Sequence, residues 1–296
     1  MNQQQMTDKI ANGLGFIAAL DQSGGSTPKA LRAYGVSDDE WSGDEEMFGK
    51  IHEMRSRVIT SPCFASGKVI GAILFEKTMD SEVEGKPTPE ALKDRGVVPF
   101  LKVDKGLADE ANGVQLMNPN PDLDALLAKG KSKGVFGTKM RSVINSANAE
   151  GIAANVAQQF EVGRQILASG LMPILEPEVT ISAPDRAEAE ELVLAEILKG
   201  LDALPEGQQV MLKLTIPKKA NLYQPLVDHP KTLRVVALSG GFVREEACEE
   251  LAVNTGMIAS FSRALLEELR AQMDDVQFDE ALGEAINHIQ RASVAG

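Results

Sequence analysis

Eight short apolar runs alternate with helical patterns along this 296-residue chain, and this alternation restricts the fold more than any other feature. Each run is bounded by glycine, proline or polar residues, as expected for a strand that is buried on both faces. The repeats predict an α/β fold, a single (βα)8 TIM barrel with extra terminal helices, spanning residues 1–296 as one domain. A doubly wound open sheet is the alternative. The predicted strands are Gly15–Leu20, Val69–Phe75, Val98–Val103, Val135–Met140, Met172–Leu175, Val210–Leu214, Arg234–Leu238 and Met257–Phe261.

Glycines and charged faces indicate where several helices lie. The pattern predicts a helix over Pro121–Lys129 that stops at Gly130, because glycine is favoured just beyond a helix C-terminus. Another helix is expected over Asp185–Lys199, with its glutamates, Glu190 among them, on a solvated face. After the last strand, Arg263–Met273 is expected to be helical.

The chain is acidic, with a formal net charge of −13 and a pI of about 4.8. This charge argues against nucleic acid or an anionic membrane as a partner, because both require an excess of basic surface. His52, His229 and His288 stand apart, and none has a second histidine at metal-binding spacing. No metal site is therefore expected.

Cys63 and Cys248 lie far apart in the sequence, which indicates neither a disulfide framework nor a CxxC site. The cytoplasm, a reducing compartment, is the expected location. The segment Met1–Asn12 is polar, and the apolar run that follows it is too short for a signal peptide. No run approaches the roughly 20 apolar residues that span a bilayer.

The segment Val210–Pro217 places Lys213 in the middle of an otherwise apolar strand. Lysine is almost never fully buried unless it is paired, and desolvation favours the neutral form of a buried amine. A neutral amine is a nucleophile for carbonyl groups. The alternative is a core lysine held in an ion pair, or one whose head reaches solvent at a strand end.

Polar residues occupy the C-terminal ends of the predicted strands, where (βα)8 barrels carry their catalytic groups. Many of them are cations, and a salt-bridge network explains poorly why an acidic protein concentrates cations there. The residues are Asp21, Lys102 and Asp104, Lys105, Lys139 and Arg141, Glu176 and Glu178, Lys213, Ser239-Gly240-Gly241, and Ser260-Phe261-Ser262-Arg263.

Two of these strand ends have features of phosphate sites. Ser239-Gly240-Gly241 precedes a helix, and together with Arg263 from the next strand end it matches the phosphate site that barrels build after strands seven and eight. A plain turn is the alternative. At the first strand end, Asp21–Ser26 offers the hydroxyls of Ser23 and Ser26 and a glycine pair, which could hold a second phosphate.

Glu176 and Glu178 are two residues apart on an extended segment, so both are expected to face the same side, about 6–7 Å apart. A carboxylate close to Lys213 and Lys139 can transfer protons. Lys139 is also expected beside Lys213, where one cation opposes protonation of the other. The alternative for each glutamate is an ion-pair partner.

These motifs, in this order, resemble those of class I fructose-bisphosphate aldolases over essentially the whole chain. The length and the segment Val210–Pro217 are most similar to the short bacterial branch. The resemblance implies a (βα)8 barrel that cleaves fructose 1,6-bisphosphate reversibly into dihydroxyacetone phosphate and glyceraldehyde 3-phosphate in glycolysis and gluconeogenesis, without a metal or other cofactor. It also implies sugar phosphates as partners, and it is compatible with a homo-oligomer. The motifs are Ala19–Ser26, Leu101–Gly106, Thr138–Arg141, Glu176–Glu178, Leu212-Lys213, Leu238–Gly241 and Ser260–Arg263.

The resemblance implies a role for each site residue. Lys213 is the Schiff-base lysine, and Glu176 is the general acid and base. Asp21 assists at the C4 hydroxyl, and Lys139 stabilises charge beside Lys213. The remaining residues are Ser239, Gly240, Gly241, Ser260 and Arg263 for the C1 phosphate region, Ser23, Ser26 and Lys102 for the C6 phosphate, and Arg141 and Glu178 in the surrounding charge network.

The sequence departs from the animal pattern at Gln22, where animal enzymes carry an acid, and at Met140, where they carry tryptophan. Another Schiff-base sugar-phosphate aldolase or a transaldolase is the closest rival, since it shares Lys213 but not the substrate. A glycosidase that uses Glu176 and Glu178, and a phosphosugar-binding protein without activity, are more distant alternatives.

Overall fold

The computed structural model describes residues 1–295, and Gly296 lies outside the described residues. Eight parallel strands follow one another around the sheet in chain order. The sheet closes on itself where the Ala19 N–H donates to the Phe261 carbonyl at 3.0 Å. The barrel prediction and its eight strands are therefore confirmed, and the open doubly wound sheet is wrong. The strands are β1 Phe16–Leu20, β2 Val69–Leu74, β3 Val98–Lys102, β4 Gly137–Ile144, β5 Met172–Val179, β6 Val210–Thr215, β7 Thr232–Leu238 and β8 Ile258–Ala259.

Helices surround the barrel, and two antiparallel additions extend it. The short strands Glu82–Val83 and Lys86–Pro87 form a hairpin, and Val114–Gln115 pairs with the end of β4. The helices are α1 Gln3–Asn12, α2 Ser26–Ala33, α3 Gly43–Thr60, α4 Glu76–Asp80, α5 Thr88–Asp94, α6 Leu123–Ser132, α7 Ala149–Ala168, α8 Arg186–Asp202, α9 Gln224–Val227, α10 Arg244–Ala252, α11 Arg263–Leu266 and α12 Asp275–Ser293, with a 3₁₀ turn at Asp38–Glu40.

Helix α1 closes the N-terminal end of the barrel, although the sequence of this segment was interpreted only as polar. Met6 and Ile10 are buried in the apolar cluster inside the barrel, together with Ile70 and other strand residues. The side chains of Asn2 and Gln5 cap the helix reciprocally, each accepting the other residue's N–H at 2.9 Å. The capping pair Asn2 and Gln5, together with the i, i+4 spacing of Met6 and Ile10, could have predicted this helix from the sequence.

Helices α6 and α11 end elsewhere than predicted, and α8 continues three residues beyond Lys199, to Asp202. Helix α6 continues through Gly130, because this buried glycine packs closely under Leu101; a Cβ there would lie 3.2 Å from the Leu101 side chain. The turn instead uses Gly134, with φ at +78°. Helix α11 ends at Leu266, well before Met273.

The solvated face predicted for α8 is wrong at Glu190, which is fully buried. Its carboxylate lies 2.6 Å from Arg186 Nε and accepts the Lys218 N–H at 2.8 Å, in the loop after β6. An ion pair and a backbone hydrogen bond thus replace the water that an exposed glutamate would bind. Within residues 1–295, no helix is long and apolar enough to cross a membrane.

Candidate active site

The two-residue period of the strands decides which side chains point into the barrel. On β6, Met211 belongs to the apolar cluster inside the barrel, whereas Leu212 packs between the barrel and the helices. Lys213, two residues after Met211, therefore faces the barrel axis, on the C-terminal side of that cluster. On β5, Glu176 follows the interior residue Ile174 at the same spacing. Asp21 after Ala19, Lys102 after Phe100 and Ser260 after Ile258 repeat this relation.

The C-terminal strand ends surround a cavity of about 840 Å³. Gly241 does not line it but lies at its edge, where a Cβ built on the glycine would lie 3.6 Å from Arg263 Nη2. Sequence reasoning did not single out Lys29, Tyr34, Met54 or Arg270, which also line the cavity. They lie outside the strand ends, so the strand-end argument could not find them. The predicted site residues that line the cavity are Asp21, Ser23, Ser26, Lys102, Lys139, Arg141, Glu176, Glu178, Lys213, Ser239, Gly240, Ser260 and Arg263.

Glu176 lies between two lysines on the floor of the cavity. Its Oε1 is 3.0 Å from Lys213 Nζ, and its Oε2 is 3.0 Å from Lys139 Nζ. Lys139 Nζ also lies 2.6 Å from Asp21 Oδ2. All four side chains are buried, with exposed fractions of 10% or less. Two carboxylates thus balance two ammonium groups in a space largely closed to water.

Lys139 was expected beside Lys213, and the Glu176 carboxylate lies between the two lysines and contacts both. Lys139 contacts two carboxylates, whereas Lys213 contacts one. The contact between Lys213 and Glu176 also fits the alternative to a nucleophile, which is a core lysine held in an ion pair. Its position on the floor of a large cavity distinguishes it from an ordinary structural lysine.

Burial and charge shift the titration of this cluster. Burial raises the pKa of Asp21, but the charges of Lys139 and Lys213 outweigh it and lower that pKa to about 2. Burial lowers the pKa of Lys139, but Asp21 and Glu176 outweigh this effect, so its pKa lies well above the ordinary value. Lys139 therefore remains an ammonium ion, and Asp21 a carboxylate, throughout the physiological range.

A second charge network forms one wall of the cavity. Lys102 Nζ lies 2.6 Å from Asp104 Oδ1, and Asp104 Oδ2 accepts the Arg141 N–H at 3.2 Å. Arg141 Nε in turn donates to Glu178 Oε2 at 2.5 Å. Glu178 and Arg141 thus lie in one network. Both belong to strands that are longer than predicted, since β4 ends at Ile144 and β5 at Val179.

The loop after β7 requires its glycines. Gly240 and Gly241 have φ values of +62° and +123°, and a Cβ on Gly240 would lie 2.7 Å from the Ile181 side chain. Among the described residues, the buried Ser260 hydroxyl has no hydrogen-bond partner, and Arg263 has no carboxylate at ion-pair distance. These donors line the cavity and are available to an anion.

The loop after β1 is organised by its two serines. Ser26 Oγ donates to the Ser23 carbonyl at 2.8 Å, and the Ser23 N–H donates to Ser26 Oγ at 3.0 Å. This loop leads into α2, which contributes Lys29 to the cavity. Within residues 1–295, no group of three or more His, Cys, Asp or Glu side chains is placed to hold a metal ion.

Comparisons with known proteins identify the family. The model of the class I fructose-bisphosphate aldolases matches residues 3–239. The chain belongs to that family. Its members are aldehyde-lyases that cleave fructose 1,6-bisphosphate reversibly through a lysine Schiff base, so the chain is a class I aldolase.

A solved structure of this family agrees in fold. It is fructose-bisphosphate aldolase from Plasmodium falciparum, solved in complex with TRAP and a small-molecule inhibitor. The similarity covers 99% of this chain and 95% of the other, with a TM-score of 0.79 and 19% sequence identity. At 19% identity this similarity supports the barrel fold alone, and membership in the family rests on the match to the family model.

The lowered pKa of Asp21 predicts a pH-dependent contribution to stability. Because its pKa falls from 3.8 to about 2 on folding, Asp21 stabilises the protein at pH values above its unfolded pKa, and this contribution disappears as pH falls toward 2. Its size is roughly 2 kcal/mol. Urea unfolding of the wild type and of Asp21→Asn from pH 7 to pH 3 measures it. The difference in free energy of unfolding is expected to be constant above about pH 5 and to shrink below about pH 4. A difference that is the same at pH 7 and pH 3 contradicts the assignment.

Proposed function

We propose that Lys213 carries the Schiff base through which this chain cleaves fructose 1,6-bisphosphate. The observation that carries this proposal is the contact of 3.0 Å between Lys213 Nζ and Glu176 Oε1 on the floor of the cavity. A carboxylate at this distance can accept a proton from the amine and return one to a leaving water. Lys213 and Glu176 are therefore the nucleophile and its acid-base partner.

The reaction follows from this pair. Glu176 takes a proton from the Lys213 ammonium group, and the amine then attacks the C2 ketone. Two nitrogen protons pass in turn through Glu176 to the ketone oxygen, which leaves as water, and the nitrogen keeps its third proton in the protonated imine. The C3–C4 bond then breaks, its electrons move into the imine to form an enamine, and the C4 hydroxyl proton passes to a carboxylate. Asp21, held as an anion on the same cavity floor, is the base proposed for that proton. Protonation of C3 and hydrolysis of the imine release dihydroxyacetone phosphate and free Lys213.

The two lysines have different roles because they have different partners. Lys139 contacts both Asp21 and Glu176, and its raised pKa keeps it protonated, so it is a fixed positive charge and not a nucleophile. A fixed charge beside the reacting centre stabilises the negative charge that develops on oxygen. Lys213 contacts one carboxylate, Glu176, which can take its proton, so Lys213 is the lysine proposed to attack the ketone.

Two phosphate sites, one at the ends of β7 and β8 and the other at the ends of β1 and β3, would hold the substrate across Lys213. Arg263 and the Ser239–Gly241 loop are proposed for the C1 phosphate, and Lys102 with the Ser23–Ser26 loop for the C6 phosphate. The protein has a net charge of −13, so these local cations are what attracts a dianionic group. Fixing both ends places C2 at the lysine.

The same proposal treats residues 1–296 as one domain and places the enzyme in the cytoplasm. Cys63 and Cys248 are free thiols, which suits a reducing compartment. Sugar phosphates are its proposed ligands, and assembly into a homo-oligomer is compatible with it.

Lys213→Arg tests the nucleophile. Arginine keeps the positive charge but cannot form the imine, so kcat for cleavage is expected to fall by at least about a thousandfold. Binding of inorganic phosphate, measured by calorimetry, should remain close to that of the wild type. Lys199→Arg, on an exposed lysine, is the control and should leave kcat unchanged. Substantial turnover by Lys213→Arg contradicts the proposal.

Arg263→Ala and Lys102→Ala test the two phosphate sites separately. Loss of the Arg263 guanidinium should weaken dihydroxyacetone phosphate binding about 10- to 100-fold and lower kcat with it, since the clamp both binds and positions the ketone. Lys102→Ala should affect fructose 1,6-bisphosphate more than dihydroxyacetone phosphate. Titrations and steady-state kinetics with both ligands distinguish the sites, and equal effects of the two substitutions on both ligands would show the assignment to be wrong.

A further inference from the structure

The barrel closes weakly between β8 and β1. Strand β8 is two residues long and pairs with β7 through Ile258 and Ala259. On the other side of β8, toward β1, the described residues 1–295 show one backbone hydrogen bond, from the Ala19 N–H to the Phe261 carbonyl at 3.0 Å. Strand β1, in contrast, pairs with β2 along its whole length. The β8–β1 seam therefore has little main-chain support, yet the loops on its two sides carry the proposed C6 and C1 phosphate sites.

Side chains bridge this seam. Gln22, directly after Asp21, donates its amide N–H to Ser262 Oγ at 2.6 Å, and Ser262 directly precedes Arg263. The other end of the bridge is Arg55, from α3, whose Nη2 donates to the Gln22 carbonyl at 2.5 Å and to Gln22 Oε1 at 3.2 Å. Because Arg55 binds the amide oxygen, the amide nitrogen must point toward Ser262.

Arg55 is among the largest fully buried side chains, with 1% of its surface exposed. Its Nη1 donates to Thr78 Oγ1 at 2.7 Å, but among the described residues its Nε has no hydrogen-bond partner. Burial lowers its pKa to about 10, and the negative charge of Asp21 opposes this effect. No carboxylate of the described residues lies within ion-pair distance of it.

Burying the Arg55 guanidinium without a carboxylate partner among residues 1–295 destabilises the folded state. Taking an ion out of water carries a large desolvation penalty, and replacing buried charges by apolar side chains is often neutral or stabilising. The neighbours of Arg55 on the buried face of α3, Met54 and Val58, are apolar. An apolar residue would therefore serve the packing of α3, and what the guanidinium adds is its hydrogen bonds to Gln22 and Thr78.

We propose that Arg55 is a positioning residue that, through Gln22 and Ser262, fixes the spacing between the loop after β1 and the loop after β8. The inference rests on the proposed function, because these loops carry the two phosphate sites and Asp21. A ligand with two phosphates must contact both loops at once, so its binding depends on their spacing. A ligand with one phosphate needs one loop and tolerates a change in spacing.

The test compares these two kinds of ligand in Arg55→Met, which keeps an unbranched apolar side chain but removes every donor. A hexitol 1,6-bisphosphate, which has no ketone and cannot form an imine, is expected to lose at least about tenfold in affinity, while inorganic phosphate changes less than about threefold. With fructose 1,6-bisphosphate, kcat is expected to fall together with a rise in KM. Ser262→Ala, a smaller change, should reproduce the same selective loss, and Arg55→Lys should recover it only in part, since lysine lacks the planar fork.

Arg57→Met is the matched control. Arg57 lies two residues further along α3 and also binds backbone, since it donates to the Met273 carbonyl at 2.6 Å, but its hydrogen-bond partners are Ala271, Met273 and Asp275 and not Gln22. It should leave both affinities unchanged. Equal losses for both ligands, or wild-type affinity for the bisphosphate in folded Arg55→Met and Ser262→Ala, overturns the inference. If the wild-type chain itself does not cleave fructose 1,6-bisphosphate, the proposed function fails instead.

Discussion

The Glu176 carboxylate, held between the ammonium groups of Lys139 and Lys213, is the interaction on which the rest of the site depends. Buried charges destabilise a protein unless they are paired, and here two lysines are matched by Glu176 and Asp21. The four residues come from four different strand ends, so only a closed barrel brings them together. The apolar cluster beneath them and helix α1 close the N-terminal end.

This arrangement gives similar side chains different chemistry. Lys139 has two carboxylate contacts and a raised pKa, which makes it a permanent charge. Lys213 has one such contact, to a carboxylate that can take its proton. The proposed role of the Arg55–Gln22–Ser262 bridge fits this arrangement, because placing the reacting carbon over Lys213 requires a fixed distance between the loops proposed to bind the two phosphates.

The sequence predicted that Lys213 lies within a buried strand and that Glu176 and Glu178 face the same side. That Lys213 and Glu176 point toward the barrel axis follows from the structure, in which each comes two positions after an interior apolar residue. The sequence could not predict that Glu176 separates the lysines, because strand register and stagger set that contact. The burial of Glu190 was missed because its partners, Arg186 and the Lys218 N–H, are invisible to a helical-face argument. Gly130 was misjudged because its close contact with Leu101 is tertiary. Arg55 could not be found, since nothing local marks a cation on an apolar helix face as buried.

Borohydride reduction in the presence of dihydroxyacetone phosphate, followed by peptide mass spectrometry, tests the central claim most directly. Reduction converts an imine into a stable secondary amine at the lysine that formed it. The account predicts inactivation by a single adduct on Lys213, with Lys139 and Lys102 unmodified. An adduct on Lys139 in the native enzyme, or full activity with no adduct on any lysine, contradicts it.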